Sequence, residues 1–196
     1  MDTIPPILPI TVVVVMVAGY FLYRRYVLLP RAWQRFADDN LLTLEKKGGL
    51  KKPEVTGNFH DHPFRLYCFE ATGSSTDSST TYCCIKLIMS PGFVGTLELS
   101  HEGIMARLGK AAFKTEDIQL DDMDFDPHYI IKCSNTQLPG QVLKRRTREK
   151  LLEFGNWFFN WEGETAQATR MGIEYDGQKL RSIAEILSEV AEELRE

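Results

Sequence analysis

The chain has 196 residues, 43% of them hydrophobic, 11% aromatic and 26% charged, and a formal net charge of −4. Those fractions exclude a collagen-like chain, a disulfide scaffold and a disordered tail. The mild acidity also excludes a surface pre-charged for nucleic acid.

The apolar residues are concentrated at the start. Ile4 to Tyr23 carries no charge, and at about 1.5 Å per residue it spans roughly 30 Å, one bilayer core. A cleaved secretory signal places basic residues before its apolar segment, whereas the earlier charge here is Asp2. Tyr20, Tyr23 and Tyr26 fall where aromatic rings favour the headgroup layer, and Trp33 follows soon after. Arg24, Arg25, Arg31 and Arg35 all come after the span. The positive-inside rule therefore places the N-terminus outside and the long remainder in the cytoplasm, as a single-pass membrane protein. The expected organisation is an anchor over 1–30 (span about 4–26), a juxtamembrane helix and connector over 31–52, and a soluble α+β domain over 53–196. Leaving out Asp2, Arg24 and Arg25, that remainder carries about −5.

Pro30 suits the first turn of a new helix, with Trp33, Phe36, Ala37 and Leu41 near helical spacing, ending either at Asn40 or, if the periodicity runs on, at Leu44. Lys46 to Pro53 reads as a polar connector. Val55, Gly57 and Phe59 alternate, His60-Asp61-His62-Pro63 has turn chemistry, and Phe64 to Phe69 forms a second strand. The Gly-, Ser- and Thr-rich Thr72–Thr80 reads as a hairpin tip. Thr81, Cys83, Ile85, Leu87 and Met89 share a face of the next strand, which Ser90-Pro91-Gly92 is expected to end before a separate strand over Thr96–Ser100. A helical turn is expected at Ile104–Leu108, an extended piece at Ile118–Leu120, and a strand over Tyr129–Cys133. Pro139 opens a helix expected to run to Phe154, stopped by Gly155. Trp157–Trp161 and Gln167–Ile173 read as a hairpin turning at Glu162-Gly163-Glu164. Leu180, Ile183, Ala184, Leu187, Val190, Ala191 and Leu194 form the stripe of a final amphipathic helix. The fold class is α+β: an N-terminal transmembrane helix, then a mainly antiparallel sheet covered on one face by helices.

Chemistry-bearing residues are scattered. Asp122, Asp124 and Asp126 have the one-three-five spacing of a calcium loop, but Pro127 replaces the glycine at six and Cys133 the bidentate glutamate at twelve. A solvated acidic turn is the simpler reading. His60 and His62, with Cys68, Cys83 and Cys84, have metal-ligand chemistry without diagnostic spacing, so turn residues and buried free thiols are expected instead. His101 and His128 read as hydrogen-bonded surface or edge residues. Gly48-Gly49 and Ser90–Gly95 lack the rest of any phosphate-binding motif. No catalytic residue, cofactor or small-molecule substrate is assigned. Residues named for lipid or partner contact are Arg24, Arg25 and Trp33, the basic run with Lys144, Arg145, Arg146 and Arg148, and the aromatic pair Trp157 and Trp161. For the basic run the simpler reading is a solvated, self-paired face; for the tryptophans it is core packing.

The order of features resembles a group of uncharacterised bacterial single-pass membrane proteins with a cytoplasmic α+β domain. The shared features are Trp33 after the span, a short-turn hairpin over Gly57–Phe64, the aromatic segment Phe125-Asp126-Pro127-His128-Tyr129-Ile130-Ile131, the Arg-rich Arg145–Leu152, and the amphipathic Leu180–Leu194. That resemblance implies architecture and no established activity. The leading functional reading is a membrane-tethered, non-enzymatic interaction domain: an accessory or assembly subunit of a membrane complex, or an adaptor. Its partners are the lipid bilayer and other membrane or cytoplasmic proteins. The alternatives are a metal-binding protein or enzyme with an unfamiliar His/Cys/Asp site, and a domain touching anionic lipid through its basic run.

Overall fold

The computed structural model describes residues 7–45, 52–72, 79–101, 117–154 and 156–195. Lys46–Lys51 of the connector, most of the Thr72–Thr80 tip, the Ile104–Leu108 turn and the Gly155 stop lie outside them.

Ile7 to Asp39 is one unbroken helical run: α1 (Ile7–Tyr23), a π-helical turn (Arg24–Leu28) and α2 (Leu29–Asp39). Pro30 stands in the first turn of α2, as expected, but α2 continues the run without a break. The proline has no N–H for the carbonyl of Tyr26 and its ring crowds that carbonyl. The wide turn just before it, where the Leu29 N–H reaches Arg24 O, makes room. α2 turns Leu29, Trp33, Phe36 and Ala37 inward. It stops at Asn40, whose side-chain amide donates to Phe36 O at 2.7 Å. Leu41 then takes a left-handed φ of 57° while the Leu42 N–H returns to Ala37 O at 2.8 Å.

Among the described residues six strands form a single sheet with every pairing antiparallel: β1 (Thr43–Glu45), β2 (Glu54–Phe59), β3 (His62–Thr72), β4 (Ser79–His101), β5 (Tyr129–Cys133) and β6 (Phe158–Met171). β2 and β3 are joined by His60-Asp61, both at positive φ (45° and 64°), the backbone of a type I′ hairpin turn. β4 is the spine. Its first half pairs with β3 and its second with β5, while β6 lies along its other edge from Tyr82↔Met171 to Leu99↔Phe159.

Two sequence expectations are corrected here. Ser90-Pro91-Gly92 does not end β4, because the ladder to β6 is irregular between Ile88 and Phe93, and a proline there removes no regular ladder bond. Glu162-Gly163-Glu164 is no hairpin turn. Gly163, at φ 55°, faces Phe93 across that irregularity, and β6 passes through it as one strand.

The expected Pro139–Phe154 helix is two, α3 (Leu138–Val142) and α4 (Arg145–Leu152). Leu143 leaves helical geometry at ψ 70°, so that it and Val142 are both buried, and its carbonyl is taken by Arg148 at 2.8 Å. The last helix, α5 (Gly177–Glu193), is capped by Asp176, whose carboxylate accepts the N–H groups of Gln178 and Lys179. α5 contacts β4 and β6, and α2 contacts α5 and β1. One core cluster joins Trp33 and Phe36 of α2, Leu66, Ile85, Leu97 and Trp161 of the sheet, and Leu180 to Ala191 of α5.

Candidate functional site at the foot of the apolar helix

The outer part of the helical run and the folded domain meet at a junction built from both. From Val12 to Tyr23 the described large apolar side chains are exposed, whereas about three turns later Trp33 and Phe36 are buried. The Trp33 indole donates to Glu174 O at 2.9 Å, and Phe36 lies against Phe64 with ring centroids 5.8 Å apart. Glu174 is itself buried. One carboxylate oxygen accepts the N–H groups of Tyr175 (2.9 Å) and Asp176 (3.1 Å), and the other is paired with Arg170. The Arg170 guanidinium lies 5.7 Å from the Trp157 ring. On the outer side, Arg24 sits 4.8 Å over the Tyr175 ring and 5.7 Å over Tyr20. A continuous line of contacts thus runs from α1 through Arg24, Tyr175, Glu174 and Arg170 into the sheet.

Beside this line is an open cleft of about 730 Å³, lined among others by Arg35, Asp39, Asn40, Tyr175, Asp176 and Arg181. Its two guanidinium and two carboxylate groups balance, and Arg181 is also paired with Glu185 at 3.0 Å. The cleft therefore has no net charge with which to select an anion or a cation.

A second cleft, about 380 Å³, lies between the acidic turn and α4, where Asp121, Asp122, Asp124, Arg145, Arg148 and Glu149 meet. The carboxylates do not converge on a common point. Asp126 accepts from the Leu120 and Asp122 N–H groups at 3.1 Å each. Asp122 accepts from the Asp124 and Phe125 N–H groups and from Arg148 at 2.7 Å. Desolvation pushes its carboxyl upward, but the Asp124 N–H and the Arg148 guanidinium outweigh it and hold the carboxyl below the ordinary aspartate value.

The remaining candidate ligands are dispersed. His60 stacks on Phe59 at 4.5 Å in the hairpin turn. His62 is buried, with Nδ1 3.2 Å from Ile88 O. Cys68 lies six residues further along β3, about 20 Å away at strand spacing. Among the described residues no three His, Cys, Asp or Glu side chains come together as a metal would require.

Of the residues named for contact, Arg24 is at the junction and Arg25 lies in the π-helical turn. Lys144 pairs with Glu193, Arg145 with Glu149 and Arg148 with Asp122, while Arg146 is exposed. Trp33, Trp157 and Trp161 are buried, and the Trp161 indole donates to Leu187 O at 3.3 Å, so none of the three presents its ring to solvent. Among the described residues the exposed aromatic of the sheet is instead Phe69, in a row with Tyr67 (6.1 Å) and Tyr82 (5.3 Å). Sequence reasoning missed Glu174, Arg170 and Tyr175. The one local signal near them was Asp176-Gly177 ahead of an apolar stripe, which marks a helix start.

No family model matches the chain, and no curated protein does. Among solved structures, it is similar to a crystal structure of the mycobacterial trehalose monomycolate transport factor A, TtfA, at 12% identity and a TM-score of 0.55, covering 86% of this chain and 96% of that one. At that identity the likeness is one of fold.

Proposed function

We propose that this chain is a membrane-tethered, non-enzymatic accessory subunit, held in a bilayer by its N-terminal helix and presenting the α+β domain to protein partners. The carrying observation is the helix itself. Its first part exposes Val12 to Met16, Phe21 and Leu22, side chains that water penalises and lipid does not. The stretch satisfies the length and composition of a membrane span. The arginines that follow it favour an outside N-terminus and a cytoplasmic domain. In this reading α2 and α5 are the cover over one face of the sheet, and the Glu174 junction ties them rigidly to the anchor. The fold likeness to a transport factor supports an accessory role. The metal or enzyme reading has no supporting observation among the described residues, and Lys144, Arg145 and Arg148 of the basic run are paired with the protein's own carboxylates.

The test is cross-linking in cells at native abundance, mild detergent extraction and mass spectrometry. A stoichiometric membrane or cytoplasmic protein is expected to come with the chain. Recovery of the chain alone contradicts the proposal.

A further inference from the structure

Three of the four cysteines lie side by side on β3 and β4, and two of them occupy one rung. Cys68 and Cys83 are direct partners in the antiparallel register, flanked on the same face by Leu66↔Ile85 and Glu70↔Thr81. Directly opposed residues have Cα atoms about 4.5 or 5.5 Å apart, and both separations fall inside the range a disulfide spans. The thiols are free and their surroundings are unequal: Cys83 is fully buried and Cys68 partly exposed. Lys52 reaches over the next rung, its ammonium 2.9 Å from Glu70 and 3.0 Å from the Thr81 hydroxyl. We propose that Cys68 and Cys83 are an oxidation site, in which Cys68 is the peroxide-reactive thiol and Cys83 resolves it into a cross-strand disulfide.

The roles follow from the surroundings. The Cys83 thiol facing it across the rung and the Lys52 charge both favour the Cys68 thiolate, against the opposing effect of burial. Cys83 is held protonated by the same interaction and by burial. Cys84 points to the opposite face, where it bonds the Thr169 hydroxyl at 3.8 Å, and burial raises its thiol above the ordinary value. It is one residue away in sequence and outside the pair. Cys83 is also the register partner of Arg170 on β6, which puts the pair against the junction described above.

The oxidant is hydrogen peroxide. The Cys68 thiolate attacks one peroxide oxygen, an S–O bond forms and the O–O bond breaks. The departing hydroxide takes up the proton the thiol lost, leaving a sulfenic acid and one water. The Cys83 sulfur then attacks the Cys68 sulfur, the S–S bond forms and the S–O bond breaks. Hydroxide leaves with the Cys83 proton as a second water. Two thiols are oxidised and one peroxide is reduced.

The test treats the full chain in detergent micelles with graded hydrogen peroxide, blocks remaining thiols by alkylation and maps peptides by mass spectrometry. A Cys68–Cys83 linked peptide is expected before Cys84 or Cys133 changes. Cys83→Ser is expected to accumulate a sulfenic acid at Cys68 that dimedone traps, and Cys68→Ser to leave Cys83 a thiol at the same dose. A Cys68 that stays reduced, that goes to sulfinate without joining Cys83, or that links two chains to each other overturns the proposal. So does a Cys83 that oxidises equally well in Cys68→Ser.

Discussion

Leu41 closes α2 in the left-handed region, at φ 57°, with its side chain 94% exposed. An L-residue with a branched side chain pays about 1–2 kcal/mol for that backbone conformation, and this side chain recovers nothing through burial. Leu41→Gly is expected to raise stability by about 0.5–1 kcal/mol, after allowing for the extra freedom glycine gives the unfolded chain. Urea unfolding in micelles, followed by circular dichroism, checks the sign. Trp33 is the opposite case. Trp33→Phe keeps most of the buried ring but removes the donor to Glu174 O, and leaving that carbonyl unpaired is expected to cost about 1–3 kcal/mol in the same measurement. An unchanged midpoint would mean the indole bond does not form. Neither the partner of Trp33 nor the role of Glu174 was legible in the sequence. The bond joins residues 141 positions apart, and no local pattern encodes a contact at that separation.

Elements were legible where one periodicity ran uninterrupted. The stripe from Leu180 to Ala191 is buried as its spacing implied, the alternation of Cys83, Ile85 and Leu87 faces the core, and Asn40 ends α2. They were illegible where turn chemistry served another purpose. Pro91-Gly92 and Glu162-Gly163-Glu164 each carry the composition of a turn, yet both lie in the matched irregularity between β4 and β6 and interrupt neither strand. The α3–α4 break was hidden because Leu143 is as apolar as its helical neighbours, and what takes its carbonyl is a side chain five residues on. The same arginine ties α4 to the acidic turn through Asp122, and this tie has a pH signature. The Asp122 carboxyl is lowered in the folded state, so its stabilisation is fully present above the ordinary aspartate pKa of about 3.9 and is lost as pH falls through the lowered value. Asp122→Asn is expected to lose less stability than the wild type on acidification. Parallel acid limbs in the two proteins would show that the tie contributes nothing.

At the scale of the whole molecule, one helical run carries two kinds of surface. From Val12 to Tyr23 it exposes apolar side chains, whereas α2 buries one face against β1 and α5 and turns Arg31, Arg35, Asp38 and Asp39 outward. The change happens within the π-helical turn, where Arg24 leaves the apolar segment to lie over Tyr175. The sheet behind it, centred on a single long strand with β6 along one edge and β3 and β5 sharing the other, gives the junction a rigid base. The proposed function depends on the first half of that helix lying in lipid. Alkaline carbonate extraction of membranes from cells expressing the full chain tests it most directly, because it strips peripheral proteins and leaves bilayer-spanning ones. The expected result is that the chain stays with the membrane pellet, and that replacing Val13, Val15 and Val17 with Lys releases it to the supernatant; a wild-type chain found in the supernatant would contradict the tether.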